Sequence, residues 1–175
     1  DLDTDSKKCF MCDSSPGTIN NPILNHQISN IIHRTSPNNS QEVRPWWQSK
    51  NGVENVTIQL DFESEFSFVK IMIAFKTFWP AAMLIERSSD FGNSWFVERY
   101  FADNCDESFP NVYKGSPRNL TEVVCQSEYS SMGQLTDGKF IYDTLASHNS
   151  FANSYDPDLQ NLLKTTNLRL NFTKF

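Results

Sequence analysis

The sequence lacks any long apolar run: the longest, residues 81–85, has five residues among 175. A helix that spans a membrane needs roughly 20 apolar residues in succession, so no transmembrane segment is predicted. Basic charge is also scarce, with Lys+Arg 15 against Asp+Glu 21 and a net charge of -6. A protein that binds a phosphate backbone needs a basic face, so we expect no nucleic-acid partner.

Signatures of catalysis are missing as well. The sequence contains no G-x-S-x-G nucleophile elbow, and its three histidines, His26, His33 and His148, lie in polar segments without ligand spacing. Glu63 and Glu65 lie close together near a strand edge, a position typical of a solvated face. A glycosidase pair stays open as an alternative, because its two carboxylates come from distant strands. The sequence therefore predicts no enzyme.

Four cysteines are present. Cys9 and Cys12 have C-x-x-C spacing, but a zinc site needs four ligands and no second pair follows. We expect both to pair with cysteines outside this sequence. Cys105 and Cys125 bracket a polar stretch, and a disulfide that closes it would contribute about 3 kcal/mol. We predict this disulfide; the alternative is two buried free thiols in a cytosolic protein.

Acceptor sequons for N-glycosylation, N-x-[ST], occur at Asn38, Asn55, Asn119 and Asn171. Because the chain is rich in Asn, Ser and Thr, about three such matches would arise by chance. The sequons therefore predict glycosylation only if the protein is secreted.

The strand pattern predicts an all-β fold. Residues 1–44 are polar, loop-rich and interrupted by prolines, whereas Val56, Ile58, Leu60 and Phe62 alternate with polar residues as in a half-buried strand. Further strands are predicted over 68–75, 83–86, 95–101, 123–124, 139–145 and 168–172, with one short helix over 159–164. Many short strands joined by turns indicate a jelly-roll β-sandwich, galactose-binding-like, with long loops and a short helix.

One turn carries a sharper motif, Ser88-x-Asp90-x-Gly92-x-x-Trp95, which matches the Asp-box of sialidases and other secreted β proteins. Asp90 can accept hydrogen bonds from turn amides, Gly92 supplies a positive φ, and Trp95 packs beneath the turn. Propellers of the glycosidase type repeat the box, and here it occurs once. We interpret it as a structural hairpin.

Three long segments resemble the laminin N-terminal domain: residues 7–12 (KKCFMC), 46–60 (WWQSKNGVENVTIQL) and 75–92 (FKTFWPAAMLIERSSDFG). Residues 100–105 and 161–170 extend the resemblance, which is strongest to laminin β subunits. Netrins share the fold but carry two cysteines that this chain lacks. The resemblance implies a secreted, glycosylated subunit of the basement membrane, with a jelly-roll fold. A netrin-like receptor- or glycan-binding module is the alternative.

The resemblance also implies how the chain is organised. We expect one laminin N-terminal domain over 1–175, truncated at both ends, with a loop-rich part at 1–44 and the sandwich core at 45–175. The Cys105–Cys125 bridge fits the family's pairing. Asn55 lies on a sequon of the family's motif and is the strongest glycosylation candidate.

In the family, this domain tips a short arm and joins the matching domains of α and γ chains in a calcium-dependent network that supports cell adhesion. Cell-surface receptors are further expected partners. We expect the contact at a turn of small, exposed residues: Trp79, Pro80, Ala81, Ala82, Glu86 and Arg87. The alternative for Trp79 is a structural role, in which its ring covers the end of the sandwich. Trp79 replaces the basic residue usual in β-type domains. Related domains can bind calcium in the loop before Trp46, but Asn30 lies where an Asp is wanted, so no metal ligands are assigned and no cofactor is predicted for this chain.

Overall fold

A computed structural model describes residues 14, 26–32, 46–127, 138–145 and 156–175. The predictions for Cys9, Cys12 and Asn38 lie outside these residues, as do those for His33 and His148. The chain divides into two compact units, Asp1–Val53 and Glu54–Phe175. The interpretation of residues 1–175 as a single domain stays a prediction.

In the first unit the described residues form a small aromatic contact beside a 3-10 helix, Ile28–Ile32. The ring of His26 stacks on that of Trp46 with centroids 4.1 Å apart. The side-chain amide of Asn30 donates a 2.9 Å hydrogen bond to the Trp46 carbonyl, and the backbone N–H of Gln48 donates to the His26 carbonyl at 3.2 Å. These bonds hold the residues that precede the Trp46 segment against it.

The second unit consists mainly of strands. They are β1 (Val56–Ser67), β2 (Lys70–Ala74), β3 (Ala82–Ser88), β4 (Phe96–Ala102), β5 (Tyr113–Lys114), β6 (Val124–Gln126), β7 (Lys139–Asp143) and β8 (Lys164–Lys174). Short helices interrupt them at α1 (Cys105–Ser108) and α2 (Pro157–Leu163). The predicted all-β sandwich is confirmed, and α2 matches the predicted short helix. No local pattern predicted β5 or α1, which are two and four residues long.

The strands form two sheets, one with the order β1-β8-β3-β4-β6-β5 and one that pairs β2 with β7. Pairing is antiparallel except at β6, which runs parallel to both β4 and β5. Phe101 on β4 contacts two aromatic rings of β7, with centroid distances of 4.9 Å to Phe140 and 5.6 Å to Tyr142. All three rings are buried, and removing such large apolar surfaces from water stabilises the packing of the two sheets.

A smaller cluster covers the other side of the large sheet. Ala82 and Ala102 are buried there with Cys105 and Cys125, which the structure joins in a disulfide. Asn104 caps α1, because its side-chain oxygen accepts hydrogen bonds from the first helical amides. The disulfide therefore ties the start of α1 to β6.

Candidate partner-binding site

The segment predicted to contact a partner begins with Trp79, whose ring is half-buried. Its ring lies 5.7 Å from that of Phe75 and 6.3 Å from that of Phe140. Gly138 lies against its edge so closely that an added Cβ would be 2.4 Å from Nε1 of Trp79. The indole is therefore packed into the second unit rather than projecting from a turn.

The rest of the segment is less exposed than the sequence suggested. Pro80, Ala82 and Arg87 are buried, and Ala81 and Glu86 are half-buried. The expectation of an exposed turn is wrong for these residues because the segment enters β3, which lies between β4 and β8. A partner contact at this segment stays a prediction.

Arg87 belongs to a buried polar cluster. Its Nε donates a 2.9 Å hydrogen bond to Oε2 of Glu98, and its Nη1 donates to the Lys164 carbonyl at 3.3 Å. The hydroxyl of Tyr142 donates to the other oxygen of Glu98 at 3.0 Å. Burial raises the pKa of Tyr142 far above its ordinary value, and the Glu98 carboxylate adds to the effect. Tyr142 therefore stays protonated and keeps donating to Glu98.

A β-bulge explains how Glu98 reaches this cluster. Ile85 pairs with Arg99, and Glu86 pairs with Val97, so Glu98 is an extra residue in β4 without a partner in β3. Bulges re-aim side chains in this way. Glu98 and Tyr142 were not predicted from the sequence, because alternation within one strand does not show where its neighbour slips by one residue.

Glu86 lies in a polar network across three strands. Its Oε2 accepts a 2.6 Å hydrogen bond from Nδ2 of Asn171 on β8, while Oδ1 of Asn171 accepts one of 2.7 Å from Thr57 on β1. Nη1 of Arg169 lies 3.8 Å from the same Glu86 oxygen. Glu86 is therefore held in place by its own sheet.

The network continues along β1 and β8. Oε1 of Gln59 accepts from Arg169 at 2.8 Å, and Oδ1 of Asp61 accepts from Gln59 at 2.7 Å and from Asn167 at 2.6 Å. The hydrogen bond from Asn167 is the largest cause of a lowered pKa at Asp61. The guanidinium of Arg169 lies 3.7 Å from the centre of the Trp95 ring, a cation–π contact. The period-2 polar residues of β1 and β8 signalled this face.

The Asp-box motif forms the hairpin between β3 and β4. Asp90 accepts hydrogen bonds from the backbone and hydroxyl of Ser94, at 2.8 Å and 2.6 Å, and from the Ser88 hydroxyl at 2.7 Å. These bonds lower the pKa of Asp90 to about 2. Gly92 has φ +87, and Nε1 of Trp95 donates to its carbonyl at 3.1 Å. This geometry agrees with the structural interpretation of the motif.

The glycosylation candidates differ in their surroundings. Asn55 and Asn119 are exposed, and Oδ1 of Asn119 accepts from the backbone and hydroxyl of Thr121, the third residue of its own sequon. Asn171 is half-buried and uses both ends of its amide within the sheet. Glycosylation at each of the sequons stays a prediction.

No metal-binding set is found among the described residues: none of their His, Cys, Asp and Glu side chains form a group of three or more that could hold an ion. The amide nitrogen of Asn30, at the position where the resemblance places calcium, donates to the Trp46 carbonyl. Residues 33–45 of the loop before Trp46 lie outside the described residues, so calcium binding stays an expectation from the resemblance, and we derive no step through calcium. No helix in the described part of the chain is long and apolar enough to cross a membrane.

Comparison with known proteins shows to which family this chain belongs. The family model "Laminin N-terminal (Domain VI)" matches residues 1–175. The chain belongs to this family. Laminin subunit beta-1 of Mus musculus is 47% identical over 173 residues, and laminin subunit beta-2 of Homo sapiens is 46% identical over 171. Each alignment covers 97% of this chain and 9% of the relative. Netrin-4 of Homo sapiens is 40% identical over 135 residues, covering 75% of this chain and 20% of that protein.

The laminin N-terminal domain is a structural module of the extracellular matrix and not an enzyme family, and its relatives here are laminin beta subunits. The chain spans about a tenth of the length of those relatives. The family assignment agrees with the resemblance seen in the sequence.

Proposed function

We propose that this chain is the N-terminal tip domain of a secreted laminin β-type subunit, and that it joins the N-terminal domains of α and γ chains. The joined domains would link subunits into the basement-membrane network and support cell adhesion. The observation that carries the proposal is the similarity to laminin beta subunits over 97% of the chain. It is a role in assembly and not in catalysis.

The structure supports such a role through its rigidity. Side-chain hydrogen bonds join Thr57 on β1, Asn171 on β8 and Glu86 on β3 in the six-stranded sheet. The Arg87 side chain is held by its hydrogen bond to Glu98. A surface that is ordered before binding loses little side-chain entropy when a partner arrives. Within the segment predicted for the contact, Trp79, Ala81 and Glu86 keep partly exposed atoms. We propose these three as its partner-facing residues.

The experiment is sedimentation velocity on the full-length protein that carries this chain. It is mixed with laminin α- and γ-type N-terminal domains, in calcium and in chelator. We expect a ternary species that sediments faster than any component. A species that forms only in calcium would support the predicted calcium dependence. Absence of a complex at high protein concentration in both buffers would contradict the proposal.

Netrin-4 supports a second candidate, because its similarity to this chain covers 75% of the residues. As a receptor- or glycan-binding module, the chain would bind a cell-surface partner without any α- or γ-type domain. Binding of the purified protein to cells, with and without enzymatic removal of surface glycans, tests this function. Cell binding by a protein that forms no ternary complex would favour it over assembly.

A further inference from the structure

An aromatic side chain projects from the hairpin between β3 and β4. Phe91 is 65% exposed and has φ +57. Among the described residues it is the one residue other than glycine with a positive φ. A residue with a Cβ is strained in this left-handed conformation, and Gly or Asn would adopt it more readily. The position therefore favours a small or amide side chain, yet it carries a large apolar ring.

The hairpin holds Phe91 in this conformation from both sides. Its N–H donates a 2.8 Å hydrogen bond to the Thr166 hydroxyl on β8. Next to it, the Ser88 hydroxyl accepts from the backbone of Asp90 at 3.2 Å and of Gly92 at 2.9 Å. A strained residue persists where its surroundings fix it in this way, and such residues concentrate at functional sites. The ring is thus presented on a preorganised support.

The ring does not serve the fold itself. It stacks on no other ring among the residues that the structure describes, and the hydrogen bonds of the hairpin use only the backbone of Phe91. Exposed aromatic residues on rigid supports are the usual anchors of protein interfaces, because they bury a large area at little cost in side-chain entropy.

Two further aromatic residues lie at the same end of the large sheet. Phe66 is 56% exposed and pairs with Thr165, the neighbour of the Thr166 that binds Phe91. The half-buried ring of Phe62 lies 5.6 Å from that of Phe66 in an edge-to-face arrangement. We call Phe62, Phe66 and Phe91 the aromatic end. Phe91 lies at this end of the sheet through its hydrogen bond to Thr166, and exposed apolar rings at one end of a sheet are typical of an interaction surface.

Charge around the aromatic end has one predominant sign. Glu63 and Glu65 are exposed in the same stretch of β1 as Phe62 and Phe66. Lys164 on β8 places its Nζ 3.9 Å from Glu65, at the limit of an ion pair. A partner with basic side chains around an apolar pocket would complement this surface. A second copy would not, since it brings the same carboxylates and a net charge of -6.

We propose that the aromatic end is a docking surface for an α- or γ-type laminin N-terminal domain, with Phe91 inserted into an apolar pocket that Lys or Arg side chains surround. This inference rests on the proposed function, to which it adds a surface that shares no residue with Trp79, Ala81 and Glu86. Phe91 supplies the apolar anchor, and Glu63 and Glu65 steer the encounter and make it sensitive to salt.

The test compares variants of the full-length protein in binding to purified α- and γ-type domains. Phe91→Asn removes the ring and places at this φ a residue that tolerates it. We expect a Kd at least tenfold weaker than that of the unmodified protein, with a Tm equal to it or higher. Glu63→Gln combined with Glu65→Gln should weaken binding several-fold at low salt and reduce its salt dependence.

Met72→Gln is the matched control, because Met72 is 58% exposed and lies on the two-stranded sheet, whereas the aromatic end belongs to the six-stranded sheet. It should leave the Kd unchanged. If the unmodified protein binds both domains and Phe91→Asn binds them equally well, the inference is wrong while the proposed function holds. If the unmodified protein binds neither domain, both the inference and the proposed function are wrong.

Discussion

Asn171 donates a 2.6 Å hydrogen bond from its amide nitrogen to the carboxylate of Glu86, joining two strands of the large sheet. The same nitrogen is the atom to which an N-linked glycan would attach in the sequon that begins at Asn171. The opposite end of the amide accepts from Thr57. The residue is thus a cross-strand bridge between β1 and β3 as well as a candidate acceptor.

We therefore expect the folded, secreted protein to carry no glycan at Asn171 and to carry one at Asn55. A sugar at Asn171 would replace one of its N–H groups and crowd the sheet between Thr57 and Glu86. Mass spectrometry of the glycopeptides measures the occupancy. Asn55→Gln is the matched control and should remove one glycan. Substantial occupancy at Asn171 in folded material would contradict this prediction.

Arg87 should matter for stability rather than for partner binding. Removing one member of a buried ion pair leaves an uncompensated charge, so Arg87→Leu should lower the free energy of unfolding by about 3 kcal/mol. Arg87→Leu combined with Glu98→Leu should lower the free energy of unfolding by less than the sum of the losses in the two single variants. Urea unfolding monitored by circular dichroism measures these values.

The matched control is an exposed ion pair, Lys70 with Asp143, whose charged atoms lie 3.1 Å apart. Lys70→Gln should change the free energy of unfolding by less than about 1 kcal/mol, because water screens exposed charges. Equal losses for Arg87→Leu and Lys70→Gln would show that the pair of Arg87 and Glu98 is not the buried support described above.

Local patterns predicted most of the strands, because a half-buried strand shows its alternation within a few residues. The alternation of Ile58 and Leu60 with Thr57 and Gln59 is an example. β5 could not be found in this way: Tyr113–Lys114 is two residues long and depends on parallel pairing with β6. Such pairing depends on a neighbour that the local sequence does not identify.

The candidate site was harder to predict, because its surroundings come from distant parts of the chain. Trp79 follows a turn and was expected to be exposed, yet Gly138, far along the sequence, packs against its ring. Glu98 reaches Arg87 only because β3 and β4 slip by one residue. Composition and spacing contain no information about either relationship.

The close contact between Gly138 and Trp79 should tolerate no side chain. An added Cβ would lie 2.4 Å from Nε1 and 2.9 Å from Cε2 of the indole, so Gly138→Ala must displace the ring. We expect a loss of about 1–3 kcal/mol in the free energy of unfolding, as for other overpacked cores, and a change in tryptophan fluorescence.

Trp79→Phe provides the control for Gly138→Ala, because a phenyl ring lacks the indole atoms that the new Cβ would meet. In the Trp79→Phe background, Gly138→Ala should cost at most half as much as it does alone, a coupling that a double-mutant cycle measures. Equal costs in both backgrounds would mean that the new methyl group meets something other than Trp79.

Asp90 should make the stability of the hairpin depend on pH in the acid range. Hydrogen bonds from Ser94 and Ser88 lower the pKa of Asp90 from 3.8 to about 2 in the folded protein. The folded state binds the Asp90 proton less readily than the unfolded state does. The contribution of the ionised Asp90 carboxylate to the free energy of unfolding is therefore fully present above about pH 4. It is lost as the pH falls toward 2. Urea unfolding between pH 2 and pH 7 measures this dependence.

In Asp90→Asn this contribution should be absent, so the stability difference from the unmodified protein should shrink as the pH falls from about 4 to about 2. Ser94→Ala removes the hydroxyl that contributes most to the lowered pKa and should show an intermediate dependence. A difference between Asp90→Asn and the unmodified protein that stays constant over this range would mean that Asp90 titrates alike in the folded and unfolded states. The hydrogen bonds that the Asp90 carboxylate accepts from Ser94 and Ser88 would then contribute less than their geometry indicates.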